Sequence, residues 1–216
     1  ENAPDLFQRL EMCGQEIPLT CTHCGGDSIG HTHCKARYCP ECRPIITAER
    51  VARWKSAIGS MRWPLFMTLT IPNSTDPEAL RFLRKKWSAF RRRKLIREKM
   101  LGGVATFEIT NIGNGWHPHL HAVADCRWLA LHVKEPHHSD TAAVKEQKFR
   151  LAKQELSTLW ADQIGSELGI VQAKRIPRDE SGFYVLKYAA KCSELLASPD
   201  PIAPMLRVLR KTRTLS

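Results

Sequence analysis

Three histidines alternate in the segment His117-Pro-His119-Leu-His121. On a strand, alternate residues share one face, and imidazoles at neighbouring same-face positions can share one divalent cation. Glu108 offers a carboxylate to the same ion. Asn114-Gly115 is the strongest short hairpin signal and predicts a type I′ turn. With those two residues as the turn, Gly113 pairs with Trp116, Thr110 with His119 and Glu108 with His121. Two imidazoles and one carboxylate, with coordination positions left open, suit a catalytic Mn²⁺ or Mg²⁺. His117 competes with Glu108 as the third ligand.

A second metal is expected at the head of the chain. Six of the eight cysteines lie within the first 42 residues: Cys13, Cys21, Cys24, Cys34, Cys39 and Cys42. Cys21-Thr-His-Cys24 and Cys39-Pro-Glu-Cys42 are two C-x2-C knuckles with 14 residues between them, the spacing of a four-cysteine zinc site. So short a segment buries little apolar surface, and metal binding would supply its folding energy. Cys13, Cys34, His23, His31 and His33 are left over. They form a second, interleaved zinc site, or Cys34 replaces one of the four. A Cys-rich head on a Cys-poor chain also points to a reducing compartment and a metal, not to disulfides.

Tyr184 and Tyr188 stand four residues apart, as do Lys187 and Lys191, each lysine three residues after a tyrosine. On a helix both rings share one face, a turn apart. The plainer alternative is that the rings pack against a sheet.

Several elements must position these groups. Ile45–Ile58 reads as a helix joining the Cys-rich head to the rest. Leu65–Ile71 is apolar and β-branched, a buried strand. A helix starts at Asp76-Pro77 and runs to about Met100, with Leu80, Leu83, Trp87 and Phe90 as its buried face. Gly102-Gly103 ends it; Val104–Ile112 and Trp116–Ala124 are the next strands. Ala142–Leu168 is a second long helix, stopped at Gly169, with Phe149, Leu156, Leu159, Trp160, Ile164 and Leu168 inward. Ile170–Ile176 is a strand, and a last helix carries the tyrosines. The order β-α-β-β-α-β plus a helix is α+β, a split β-α-β, ferredoxin-like arrangement of an antiparallel sheet with helices on it. The expected domains are 1–60, a zinc module with its connecting helix; 61–200, the main domain; and 201–216, a basic tail.

Phe66-Met-Thr-Leu-Thr70, Gly115-Trp-His-Pro-His-Leu-His121 and Tyr184-Val-Leu-Lys-Tyr-Ala-Ala-Lys191 stand in the order of the three motifs of the HUH endonucleases, the rolling-circle replication initiators. Glu108-Ile-Thr110 is similar to the Glu-bearing strand that precedes their histidine motif. Cys34-x2-Arg37-x-Cys39-Pro-x-Cys42 resembles the zinc segment of plasmid initiators and of two-tyrosine rolling-circle transposases. The resemblance spans roughly residues 20 to 192, and Tyr-x3-Tyr-x2-Lys is closest to the two-tyrosine initiators of single-stranded DNA phages. It implies an RRM-like HUH nuclease domain. It also implies metal-dependent, sequence- or structure-specific nicking of single-stranded DNA through a covalent 5′-phosphotyrosine. Tyr188 and Tyr184 would be the nucleophiles, and Lys187 or Lys191 would favour phenolate or stabilise phosphate charge. The partners implied are single-stranded or hairpin DNA at a replication origin, a host helicase and a polymerase. A rolling-circle transposase or mobilisation relaxase would use the same chemistry. A zinc-dependent nucleic-acid-binding protein without catalysis, its tyrosines stacked on bases, is the rival from another class.

Charge agrees with a polyanionic partner. Thirty-three Lys and Arg against 22 Asp and Glu give a net charge of +11, which concentrates and captures nucleic acid. Arg84, Lys85, Arg91, Arg92, Lys174 and Arg175 are candidate phosphate contacts, or a solvated face. No apolar run approaches the ~18–20 residues of a membrane span, and no basic stretch carries the Trp/Leu face of a membrane-surface helix. No signal peptide is recognised, and the chain, opening on Glu1, reads as a fragment of something longer. The expected setting is cytoplasmic, in a prokaryotic cell or its plasmid or phage.

Overall fold

The computed structural model describes residues 8–36, 39–111, 113–127 and 137–177, without the side chains of residues 50 and 51. The chain divides into two units, Glu1–Ala52 and Arg53–Ser216. The division falls before residue 60 because Trp54, Ile58 and Met61 pack with Phe66, Val104, Val123 and Ile176 of the second unit.

In the first unit, β1 (Glu16–Thr20) and β2 (Asp27–His31) form an antiparallel hairpin, from Glu16↔His31 at its root to Thr20↔Asp27 near its tip. Gly14 N–H to Thr32 O and Thr32 N–H to Gln15 O, both 2.9 Å, prolong the ladder at the root. Every residue of β1 is exposed. Helix α1 (Cys42–Gly59) begins three residues earlier than expected, because Pro44 sits in the first turn, where its missing N–H costs nothing.

The second unit is built on β3 (Pro64–Thr70), β4 (Met100–Thr110), β5 (His117–Cys126) and β6 (Ile170–Arg175). Among the described residues these form one four-stranded sheet in the order β4-β5-β3-β6, antiparallel throughout. Two helices, α2 (Ala79–Phe90) and α3 (Lys94–Lys99), connect β3 to β4, and β5 lies between those two strands: a split β-α-β unit. Helix α4 (Ala142–Ile164) leads into β6.

One sheet face carries Leu65, Met67, Leu69, Leu120, Ala122, Ala105 and Phe107, all buried. Helix α4 covers it: Leu65 and Ala173 line one small cavity with Ala152 and Leu156, and Trp160, fully buried, donates Nε1–H to Thr70 O at 2.8 Å. Phe90 of α2 meets Trp160 edge-on at 5.3 Å, so the two helices cover the same face. The other face is divided along the strands. Phe66, Val104 and Val123 form its apolar half, and Thr68, Thr106, Glu108 and the histidines its polar half.

Several expectations are corrected. The single helix to Met100 is broken into α2 and α3, and β4 already starts at Met100. Gly102 and Gly103 therefore lie in a strand, Gly102 beside a register irregularity. A Cβ on Gly103 would meet Val123 O at 2.8 Å, so close strand approach is what that position requires. Helix α4 ends at Ile164 with Gly165 in the left-handed region (φ 72°), four residues before Gly169; Leu168, expected on its buried face, is exposed. The hairpin register also differs. Glu108 pairs with His119, Thr110 with His117 and Thr106 with His121. The turn is no type I′ turn, since Gly113 and Gly115 have positive φ and Asn114 does not. Trp116 leaves the hairpin to pair with Ser74, through N–H···O bonds of 2.7 and 2.9 Å in both directions.

Candidate functional site

The register differs from expectation by two residues, an even number, so the side chains keep their faces. Glu108 Oε2 lies 3.0 Å from His119 Nε2 and 3.0 Å from His121 Nε2. The three ligand atoms fall within 4.8 Å of one another and could hold a metal ion. Two cis ligands about 2.1 Å from one octahedral cation stand about 3.0 Å apart, which is the separation observed here.

Neighbouring groups set the imidazoles. His119 Nδ1 faces His117 O at 3.1 Å. A carbonyl only accepts, so Nδ1 carries the proton and the neutral ring turns its Nε2 lone pair toward Glu108. A lone pair against a carboxylate oxygen is repulsive. The contact is favourable only for an imidazolium or for a cation shared between the two. His121 Nδ1 meets Thr68 Oγ1 at 2.9 Å, its ring stacks on Phe66 (11° between planes, centroids 5.7 Å apart), and Thr106 Oγ1 donates to His121 O at 3.3 Å. Glu108 and His121 are each 8% exposed, so a lone carboxylate charge here would be costly. The donor set and its supporting bonds fit a divalent cation.

His117 is placed beside this group without joining it. Its ring centroid is 5.4 Å from that of His119, and its Nδ1 is held by Asn73 Oδ1 at 2.5 Å. Burial, and then the charge of His119, lower its pKa. Thr68, Phe66 and Asn73 are the supporting residues; the sequence singles out Phe66–Thr70 as a motif without assigning these contacts, and it misses Asn73. Alternation along β3 is the available signal for the first two, because Thr68 must share a face with His121 once the strands pair.

The cysteine cluster differs from the expected four. Cys39 and Cys42 are joined by Cys13 and Cys34, not by Cys21 and Cys24. Sulfur separations are 3.4 Å for Cys13–Cys42, 3.5 Å for Cys39–Cys13 and 3.7 Å for Cys34–Cys42. A tetrahedral ion with metal–sulfur bonds of about 2.3 Å spaces its ligands by about 3.8 Å. Backbone N–H groups also point at the sulfurs: Cys34 N–H at Cys13 Sγ and Ala36 N–H at Cys34 Sγ, both 3.4 Å. Lys35 takes φ 56° to bring the second of these round. Burial pushes the Cys34 thiol up to about 12, so four thiolates coexist here only around a cation. The reason for the exchange of ligands is geometric. Cys13 precedes β1 and Cys34 follows β2, whereas Cys21 and Cys24 sit at the hairpin tip, five strand residues or about 17 Å farther out. His33 Nδ1 approaches Cys42 Sγ at 3.8 Å, and His31 Nδ1 is 3.3 Å from Gly14 O.

The basic candidates are dispersed. Lys85, Arg91 and Arg92 are exposed and Arg84 half-buried, on or just after α2, which covers the face opposite the histidines. Lys174 shares the histidine face by register with Phe66, and Arg175 lies on the other. Both line an open groove of about 880 Å³ with Arg127, His138 and Lys145. Tyr184, Lys187, Tyr188 and Lys191, the last helix and the 201–216 tail lie outside the described residues. No helix among those described is long and apolar enough to cross a membrane.

Compared with family models, curated proteins and solved structures, the chain matches none.

Proposed function

We propose that the protein nicks single-stranded DNA and transfers the strand to tyrosine in a divalent-cation-dependent reaction that initiates rolling-circle replication, as an HUH-type endonuclease with an N-terminal zinc module. The observation that carries this is the Glu108–His119–His121 group, with both Nδ1 atoms engaged and both Nε2 atoms turned to one carboxylate oxygen. The β-α-β-β-α-β order with β5 inserted between β3 and β4 supports it, as does the net charge of +11. Zinc suits the four-thiolate cluster, and Mn²⁺ or Mg²⁺ the carboxylate–imidazole group.

Bound there, the cation supplies Lewis-acid polarisation of the scissile phosphate. His117 O fixes the tautomer of His119 and Thr68 Oγ1 holds the His121 ring in orientation, so the ligand set is prepared in advance. Phe66 shields one side of His121 from water. In the reading the motifs support, the Tyr188 or Tyr184 hydroxyl loses its proton and attacks phosphorus. A tyrosyl O–P bond forms, the P–O3′ bond breaks, and the departing 3′ oxygen takes up a proton. Free tyrosine has a pKa near 10, so Lys187 or Lys191 is assigned the task of favouring phenolate.

The test is incubation of the chain with labelled single-stranded DNA and Mn²⁺. The expected products are a protein–DNA adduct on a denaturing gel and a free 3′ end that a polymerase extends. Binding of DNA with neither product would leave the non-catalytic, zinc-dependent nucleic-acid-binding reading. An adduct formed without extension from an origin would favour the transposase or relaxase.

A further inference from the structure

The C-x2-C turn at the tip of the β1–β2 hairpin is left unused by the four-cysteine cluster. Cys21 and Cys24 are both exposed. Cys21 N–H to Gly26 O at 2.8 Å and Gly25 N–H to Cys21 O at 2.9 Å close the loop, with Gly25 at φ 69°. Thr20 Oγ1 donates to Asp27 Oδ1 at 2.9 Å across its base. The two exposed thiols thus sit on one closed turn at the end of the hairpin.

We propose that Cys21 and Cys24 are half of a four-thiolate zinc site, completed by Cys21 and Cys24 of a second copy of the chain. Zinc takes four ligands in a structural site, and the tip offers two sulfurs. Among the described residues no third Cys, His, Asp or Glu ligand atom gathers with them. The missing set is two more thiolates in the same geometry, which a two-fold-related copy of the hairpin supplies. The tip stands about 17 Å beyond the four-cysteine cluster, so two tips can meet without disturbing it. The strands behind the tip are suited to contact: Ile17 and Leu19 are exposed on one face of β1. Gly30 opposite has no side chain, and Leu19 lies over it, where a Cβ would collide with it at 2.6 Å. This bridge is independent of the nicking chemistry, since it shares no ligand with Glu108, His119 or His121.

The test compares the wild-type chain with Cys21→Ser/Cys24→Ser and Cys24→His, each with added Zn²⁺ and a phosphine reductant that prevents disulfides. Sedimentation and metal analysis are the readouts. The wild type is expected to sediment as a dimer and the double variant as a monomer holding about half a zinc fewer per chain. Cys24→His keeps a zinc ligand and is expected to keep the dimer. Three results would overturn the proposal: a double variant that still dimerises, an unchanged zinc content, or loss of a whole zinc per chain with no change in size, which would place a closed site within one chain.

Discussion

At the level of single residues, the candidate centre depends on groups outside the three residues that could hold a cation. Thr68 Oγ1 fixes His121, and His117 O fixes His119. Replacing Thr68 with Val keeps the volume and removes the bond, and losing a bond that orients a metal ligand costs about 10–100-fold in metal affinity. We expect Thr68→Val to weaken Mn²⁺ binding by that factor in a titration, with Thr68→Ser restoring most of it. A purely structural role for Thr68 would leave affinity unchanged while lowering stability. The ligands themselves are legible in the amino-acid sequence. Alternation along β5 puts His119 and His121 on one face, and the Asn-Gly signal puts Glu108 across from them. The partner of Glu108 is displaced by two positions because Trp116 pairs with Ser74, a contact from a distant part of the chain. The choice of cysteines fails for a similar reason. Local spacing favours C-x2-C pairs, but which sulfurs meet depends on the hairpin that separates Cys13 from Cys34 by sequence and reunites them in space.

At the level of elements, the long apolar periodicities identify α2, α4 and the four strands, and boundaries are lost where a glycine has more than one use. Gly169 reads as a helix stop; it lies instead where the α4–β6 loop crosses α4, and a Cβ there would collide with the backbone of Ser157 and Ala161. Ser157 Oγ also donates to Gly169 O. Gly169→Ala is expected to cost about 1–3 kcal/mol in urea unfolding, the range of overpacking, whereas Gly165→Asn, at the left-handed cap, should cost less. The start of α4 carries a pH-dependent contact. Lys148 Nζ and His137 N–H both donate to Asp140 Oδ2 at 2.7 Å. The Lys148 hydrogen bond, then that of His137, hold the Asp140 carboxyl below its ordinary value. A depressed folded value means that the contribution is complete above the unfolded pKa, about 3.9, and is lost as pH falls through the folded one. The stability difference between wild type and Asp140→Asn should therefore be constant from about pH 6 to 8 and shrink below about pH 4. A difference that grew on acidification would contradict the assignment.

At the level of the whole molecule, two units rest on different sources of stability. The second has a sheet with apolar residues on both faces. The first has a small cluster of Cys34, Cys39 and Cys42 packed with Leu10, Ala36 and Ile46, so little apolar surface that a bound metal would supply much of its folding energy. Cys34→Ser should accordingly expose 8–41 to limited proteolysis while 61–127 stays protected; equal protection of both would show that the cluster needs no metal. A cation at Glu108, His119 and His121 that serves Tyr184 and Tyr188, as proposed, requires a covalent DNA adduct on one of those tyrosines. The full chain is incubated with a suicide single-stranded substrate and Mn²⁺, digested, and its nucleotide-bearing peptide sequenced by mass spectrometry. We expect the adduct on Tyr188 or Tyr184, present in each single Tyr→Phe variant, and absent in the double variant and in His121→Ala. An adduct on neither tyrosine, or one that forms equally well in His121→Ala, would contradict it.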